Sequence, residues 1–361
     1  MSLRLAAFVT PHGFGHAART CAILEALRDR GDVEPTIYST VPRWFFEASL
    51  GAGSFRYQKL TTDVGLVQAD PLTADLEATA EVLDRFLPFD PGLVESLGRE
   101  LRREAIDLVL CDVAPLGIAV AEMADLRSVV VENFTWDWIY REYDHPDLER
   151  YAEILAPWFD RATLTVQATP PCRPRAEAVT VPPIARRPRR DREQTREALG
   201  VRSGEELKLV LVGMGGISWD YGDLSELAVP DSVVLVVPGA AVESGIERRG
   251  PAILMPHRTP LYHPDLVHAV DAVVAKLGYS TMAETWEAGL PFGYVPRPEF
   301  PEFPALSGFV DAEMEARSIP GRELRNGGWS RYLEELLAFP RRKRSGPRGA
   351  DAAATAIAEL L

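Results

Sequence analysis

The residues best suited to chemistry stand just after the first apolar run of the chain. In Pro11-His-Gly-Phe-Gly-His-Ala-Ala-Arg-Thr20, Gly13 and Gly15 let the backbone turn sharply. His16 and Arg19 follow, in or just before the first turn of a helix. The spacing Gly13-x-Gly15-x-x-Ala18 could also be the phosphate-binding turn of a dinucleotide site. That reading needs an acidic residue about 20 positions on, at the end of the second strand, to bind the ribose. Here the strand ends Tyr38-Ser39-Thr40, without a carboxylate. A helix N-terminus favours anions and holds a nearby imidazole neutral, the form a general base needs. His16 is therefore expected as a base; the ordinary alternative is a helix cap, with Arg19 on a surface carboxylate. Asp112 ends the fourth strand-like run, IDLVLCD. In a strand order 3-2-1-4-5 that run lies beside the first, where Asp112 could orient His16 and stabilise its imidazolium. Asp112 could equally cap the helix that starts near Pro115.

A second cluster lies in AKLGYSTMAETWEAGLPFGYVPRPEF, residues 275–300. Gly278 permits a turn after a strand, and Ser280 and Thr281 open a helix whose hydroxyls and free N–H groups suit a diphosphate. Lys276 could neutralise phosphate charge, and Glu284, one turn on, could accept both hydrogen bonds of a ribose diol. The loop Gly213-Met-Gly215-Gly216 is small enough for backbone to approach a phosphate closely. Each feature alone has a plain strand–turn–helix reading. Together with Gly13, Gly15 and Arg19 they make a coherent set for a nucleotide diphosphate. A third set, Gln68, Asp70 and Asp75 with Asn133, Trp136, Asp137 and Tyr140, combines aromatic faces with amides and carboxylates, as sugar hydroxyls require. Trp136 and Trp138 have an equal reading as core, and Cys21, at helical spacing with Leu24 and Leu27, reads as core.

The elements that must position these residues alternate. Strand-like runs at 3–10, 34–39, 54–60, 106–112, 127–132 and 162–167 are separated by helical periodicity, including the long stretch 74–104. Strands apolar throughout and separated by helices predict a parallel sheet covered on both faces. From about Arg173 to Gly204 proline and arginine dominate; a second series then runs through 207–213, 232–237, 252–255, 271–275 and 292–296, with helices at 280–289 and near 329–338. The expected class is α/β. A first doubly wound domain spans 1–178, a Pro/Arg-rich linker 179–204, a second such domain 205–340, and a basic turn with a terminal helix 341–361. In such a pair a ligand is expected in the cleft, at the carboxyl ends of the strands.

With 361 residues, 46% hydrophobic and 25% charged, the chain has the composition of a globular protein with two cores. The apolar start breaks at Pro11 and His12, too early for a signal peptide, and reads as a buried strand. No apolar run approaches the ~20 residues of a membrane helix. Three scattered cysteines argue against a disulfide framework or zinc site and make a reducing cytoplasm the natural setting. A formal charge of −14 argues against a nucleic-acid partner. The basic runs Arg187–Arg190 and Arg341–Arg344 read as solvated; peripheral contact with anionic lipid, or with a phosphorylated substrate, is the alternative.

The motifs G-x-G-H-x-x-R after the first strand and G-x-x-T-x-x-E before a G-x-P strand resemble those of GT-B glycosyltransferases. Over nearly the whole chain the sequence is similar to the glycosyltransferase-like N-terminal region of L-arabinokinases. The similar stretches are residues 13–19, DVGLVQADPLTAD (63–75), CDVAP (111–115), ENFTWDWIYREY (132–143) and KLGYSTMAE (276–284). The resemblance implies two Rossmann-like domains facing across a cleft, with a UDP- or dTDP-type sugar donor at the second and an unidentified acceptor at the first. With His16 as base and Asp112 behind it, one in-line displacement is expected to invert the anomeric centre, and the helix N-terminus at 279–281, the glycine loop and Lys276 offset the diphosphate charge on the leaving group without a metal or other cofactor. No Gly/Ser-rich kinase phosphate loop is present, so sugar-kinase activity is not expected. The first loop is also similar to that of the nucleotide-sugar hydrolase of pseudaminic acid synthesis, which makes hydrolysis the rival activity; a non-catalytic sugar-nucleotide sensor is a third reading.

Overall fold

The computed structural model describes residues 2–70, 72–202, 204–215, 224, 227–240 and 245–361. Its strands are β1 (Leu3–Val9), β2 (Val33–Ser39), β3 (Arg56–Lys59), β4 (Val67–Asp70), β5 (Thr73–Asp75), β6 (Leu108–Asp112), β7 (Arg127–Glu132), β8 (Leu164–Ala168), β9 (Val179–Val181), β10 (Lys208–Gly213), β11 (Val233–Pro238), β12 (Glu247–Arg249), β13 (Ala252–Met255), β14 (Ala272–Lys276), β15 (Phe292–Val295) and β16 (Ala316–Ser318). The chain forms two compact units. The first is Met1–Ala69, Ala74–Ala185 and Pro347–Leu361; the second is Arg186–Gly346 with Asp70–Thr73, the tip of the β4–β5 hairpin.

The sheet of the first unit runs β3-β2-β1-β6-β7-β8-β9 and is parallel throughout. The expected adjacency of the first strand and IDLVLCD holds, with Val9 opposite Asp112 in the register. The strand centres are apolar on both faces because helices cover both. Leu5 to Val9 are fully buried, and each large side chain there contributes about 1.5–3 kcal/mol. Gly117, in the helix Pro115–Ala124, sets how closely that helix lies on the sheet. A Cβ there would stand 2.6 Å from Cys111 Sγ and 2.7 Å from the Phe8 ring.

Three boundaries differ from the sequence expectation. The stretch 74–104 is two helices, Leu76–Phe86 and Pro91–Arg103, parted where Pro88 and Pro91 interrupt the ladder. The 179–204 segment is not only a linker, since its AVTV run supplies β9, the edge strand of the first sheet. The terminal helix Gly349–Leu360 belongs to the first unit, where Ala350, Ala353, Ala354 and Ile357 are buried.

The sheet of the second unit runs β12-β13-β11-β10-β14-β15-β16, with only β12 antiparallel among the described strands. Val210, Val212, Leu235, Val237, Val274, Val295, Ile319 and Trp329 are part of its core, and Leu72 from the hairpin packs against it. Gly213 pairs with Ala275 across β10 and β14, which sets the glycine loop beside Lys276. Among the described residues no helix is long and apolar enough to cross a membrane.

Candidate active site

In the first unit the helix Gly15–Arg28 starts directly after the turn that Gly13 makes at φ +72°. This brings His16, Arg19 and Thr20 over the end of β6. His16 Nδ1 lies 2.9 Å from Asp112 Oδ1. Arg19 donates from Nε to Asp112 Oδ2 at 2.9 Å and from Nη2 to Oδ1 at 2.6 Å, while its Nη1 donates to Asn133 Oδ1 at 2.8 Å. Thr20 adds a donor to Oδ2 at 3.2 Å. Burial alone would raise the Asp112 pKa, but the Arg19 guanidinium and the His16 bond outweigh it and hold the carboxyl below the ordinary aspartate range. An ionised carboxylate at 2.9 Å needs a proton on the facing nitrogen, so Nδ1 of His16 carries it, and in the neutral ring the lone pair is then on Nε2. Arg19 Nη2, 3.2 Å from the same Nδ1, is near because it shares Oδ1. Val113, next in sequence, takes φ +52°, a left-handed conformation that costs a β-branched residue roughly 1–2 kcal/mol. Backbone strain of this kind gathers at functional sites.

This arrangement corrects one expectation. Arg19 does not face solvent to meet a nucleotide; it is 2% exposed and clamps Asp112. Asp112 lies against His16 and Arg19, and it does not cap the helix at Pro115, which has no side-chain cap.

The polar–aromatic set is mostly structural. Trp136 is fully buried, stacks on Tyr140, and donates from Nε1 to Asp63 at 2.6 Å. The Tyr140 hydroxyl donates to the Gly65 carbonyl at 2.8 Å. Asp75 caps the helix Leu76–Phe86 through the Ala78 N–H, and Asp70 accepts from the Leu72 N–H in the hairpin turn. These four are corrected from sugar contacts to supports. Asn133 props Arg19, and Asp137 pairs with Arg141 at 3.2 Å. Asn133 Nδ2, Asp137 Oδ1 and Gln68 Nε2 are buried and have no partner among the described residues. Asp63 opens the stretch DVGLVQADPLTAD but is not among the residues expected at the site. Burial pushes its carboxyl up to about 7, against the pull of its hydrogen bonds.

In the second unit Gly215 takes φ +78°, and a Cβ there would lie 2.9 Å from Lys276 Cε. The lysine stem thus lies against the glycine loop. Burial and the neighbouring Arg297 push the Lys276 ammonium down to about 7. A cation so destabilised gains from an incoming anion. Gly278 is the N-cap of the helix Tyr279–Glu287 and supplies no side-chain cap, so Ser280 and Thr281 stand in an uncapped first turn. Gly216 lies outside the described residues.

Glu284 holds partners the sequence did not reveal. Arg186 Nε donates to Oε1 at 2.9 Å, and His263 Nδ1 lies 2.9 Å from Oε2. Burial opposes ionisation, but the Arg186 guanidinium and the His263 hydrogen bond hold the carboxyl down at about 2. Each oxygen retains a lone pair, so a ribose contact would be made by an already ion-paired carboxylate. The basic runs are also engaged within the unit. The Arg189 and Arg190 N–H groups donate to Asp265, Arg342 pairs with Glu315, and Arg344 donates to the Trp286 carbonyl. For Arg342 and Arg344 this weakens the lipid reading, because guanidinium groups bonded to the protein are poor lipid ligands; the Arg189 and Arg190 bonds come from their backbone N–H groups.

No family model matches the chain. Its sequence is 28% identical over 364 residues to an L-arabinokinase of Arabidopsis thaliana, covering 99% of this chain and 34% of the relative. The chain thus spans about a third of that relative's length. Among solved structures, UGT89C1 of Arabidopsis thaliana complexed with quercetin matches with a TM-score of 0.62 at 14% identity, covering 99% of each chain. A UDP-glucosyltransferase of Polygonum tinctorium that glucosylates indoxyl matches with a TM-score of 0.64 at 13% identity, over 100% of this chain and 98% of that one. The glycosyltransferase SnogD of Streptomyces nogalater matches at 0.54 and 16%, over 100% of both. With two Rossmann-like α/β units, each built on a parallel-dominated sheet, the chain has the GT-B fold.

Proposed function

We propose that the protein is a glycosyltransferase that moves a sugar from a nucleoside-diphosphate donor, of UDP or dTDP type, to a hydroxyl acceptor with inversion and without a metal. The observation that carries this is the His16–Asp112 pair, in which Nδ1–H is anchored on an ionised carboxylate and Nε2 keeps its lone pair. The acceptor hydroxyl gives its proton to Nε2 as its oxygen bonds the anomeric carbon. The bond from that carbon to the diphosphate oxygen breaks, and the nucleoside diphosphate leaves with the electron pair. Asp112 stabilises the imidazolium without taking its proton. In the second unit, Lys276, the Gly213–Gly215 loop and the N–H groups of the uncapped helix offset the leaving charge, which supports metal-free operation. Gln68, Asn133 and Asp137 are the acceptor-side residues carried forward, since each keeps an unpartnered polar atom.

The test uses UDP-glucose and UDP-L-rhamnose against a panel of phenolic and sugar acceptors that includes L-arabinose. His16→Ala should lose on the order of 10²–10⁴-fold in turnover while donor affinity changes little. Wild-type turnover in that variant removes His16 as the base. Rapid release of free sugar, indifferent to every acceptor and lost in His16→Ala, identifies a hydrolase instead. Tight binding of the donor without any turnover identifies a sensor.

A further inference from the structure

We propose that the first unit has a second ligand site, a small cavity in which Glu132 and Asp137 hold the ammonium group of a small primary amine. The cavity has a volume of about 110 Å³. It lies where β7 ends, between the helices Trp136–Glu142 and Pro146–Phe159 and the loop after β8 that carries Arg173 and Arg175. Its wall belongs to that unit alone.

The two acids are buried, Glu132 2% and Asp137 3% exposed, and neither is fully compensated. Among the described residues Glu132 has no ion pair and one hydrogen bond, accepted at Oε1 from Gln167 Nε2 at 2.7 Å. The Gln167 amide has nothing left for Oε2. It also donates to the Arg173 carbonyl at 2.9 Å, and its oxygen accepts from the Arg175 N–H at 2.8 Å. Asp137 Oδ2 lies 3.2 Å from Arg141 and 4.0 Å from Arg173, while Oδ1 is buried with no partner among the described residues. Arg175 is taken by Asp160 and Glu177, each at 2.8 Å. The wall is built from tied backbone, since the Cys172 N–H also donates to the Asn133 carbonyl at 2.6 Å.

A buried carboxylate is stable only with a cation or several donors beside it. Burial pushes the Glu132 carboxyl up to about 7, against the Gln167 bond and the charges of Arg19 and Arg175, and Asp137 adds to the rise. An ammonium group brings one positive charge and three donors, which matches the acceptors of Glu132, Asp137 and Thr135 in the wall. A divalent cation is a poorer fit. It asks for six or more oxygens, and among the described residues no three His, Cys, Asp or Glu side chains are grouped to hold one. The Phe134 ring is part of the same wall and meets the His16 ring edge-to-face, with centroids 5.8 Å apart and planes at 88°. An occupant would thus face a ring that packs on the histidine. No step of the glycosyl-transfer reading uses Glu132, and the experiment reads binding alone, so its failure leaves that reading untouched.

The Gln167 side-chain amide, bonded to Glu132, is the reporter. In an amine-free buffer, glycine and ethanolamine are titrated into the intact protein, with acetate and ethylene glycol as their amine-free counterparts, and the Gln167 ¹⁵N–H₂ resonance is followed. One or both amines should shift it saturably at millimolar concentration, and neither counterpart should. Tighter binding of glycine marks an amino acid as the class of ligand, with Arg173 taking its carboxylate; tighter or equal binding of ethanolamine marks an amino alcohol. Both amines stay protonated through pH 8, so affinity should rise about tenfold from pH 6 to pH 8 as Glu132 ionises. Glu132→Gln should lose about 10- to 100-fold in affinity, and the pH dependence with it. Ala156→Met fills the cavity without touching a charge and should abolish binding. No shift with either amine, equal binding of a counterpart, or an amine affinity unchanged in either variant overturns the proposal. Should the variants fail to fold, the wild-type series decides, because an affinity flat from pH 6 to pH 8 overturns it as well.

Discussion

Asp112→Asn separates the structural and chemical roles of the buried His16–Arg19–Asp112 cluster in the first unit. The substitution keeps the side-chain shape but removes the negative charge that Arg19 and His16 share. Arg19 is 2% exposed and would keep Asn133 and at most one good bond to the new amide. Breaking a buried ion pair from one side costs about 3–5 kcal/mol. At roughly 2–4 °C per kcal/mol for a unit of this size, the melting transition of the first unit should fall by about 6–20 °C. Removing both charges, in Asp112→Asn/Arg19→Gln, leaves no stranded guanidinium and should regain most of that loss. Turnover should not return, because the amide neither selects the His16 tautomer nor stabilises its imidazolium. Calorimetry and single-turnover rates on the wild type, the two single variants and the double variant form the assay. A single variant that melts within about 2 °C of wild type, or a double variant that regains turnover, would refute the assignment.

Three further outcomes concern two other carboxylates. Glu284→Gln should weaken UDP binding by about 10- to 100-fold in calorimetry if the carboxylate grips the ribose, and unchanged affinity with the fold intact removes that role. The same carboxyl sits at about 2 when folded, below its ordinary value, so its stabilising contribution is complete above pH ~4.5 and disappears as pH falls toward 2. Glu284→Gln should flatten that acid limb in denaturant titrations. Asp63 has the opposite sign. Its folded value near 7 lies above the unfolded one, so stability declines as pH rises from about 4 to 7. Asp63→Asn should be less sensitive than wild type to a change from pH 5 to pH 8, and an equal pH dependence in both would show that Asp63 is ionised throughout.

Much of this was legible in the sequence wherever short-range rules suffice. The run LRLAAFV had to be a strand buried on both faces, Gly13 and Gly15 had to turn it, and IDLVLCD had to end beside it if the sheet was doubly wound. Lys276 and Gly278 followed from the same strand–turn–helix logic. What escaped was decided by partners far along the chain. Nothing near Arg19 says that Asp112 will claim it, and nothing near Glu284 points to Arg186, which adjoins a basic run that reads as solvated. Trp136 and Tyr140 look like sugar-stacking residues until Asp63 and the Gly65 carbonyl, more than seventy positions earlier, take their polar atoms. The AVTV run is strand-like in the sequence, but three residues among prolines carry too little periodicity to place it at a sheet edge.

The chain leaves the first unit at Ala185 and returns to it only at Pro347. On the ribosome, the β-sheet strands of that unit emerge early, but the helix Gly349–Leu360 emerges only after the whole second unit has been made. Until then the buried faces of Ala353, Ala354 and Ile357 are missing, and so are the bonds from Arg30 to the Thr355 hydroxyl and the Asp351 carbonyl. Gly349 fits against the Pro182 and Pro183 carbonyls with no room for a side chain, so a bulkier residue there would obstruct the last step of closure. Maturation of the His16–Asp112 unit is thereby tied to translation of the segment that bears Lys276. A fragment cut at residue 185 is an unfinished domain, whereas 186–346 lacks only the four residues of the hairpin tip.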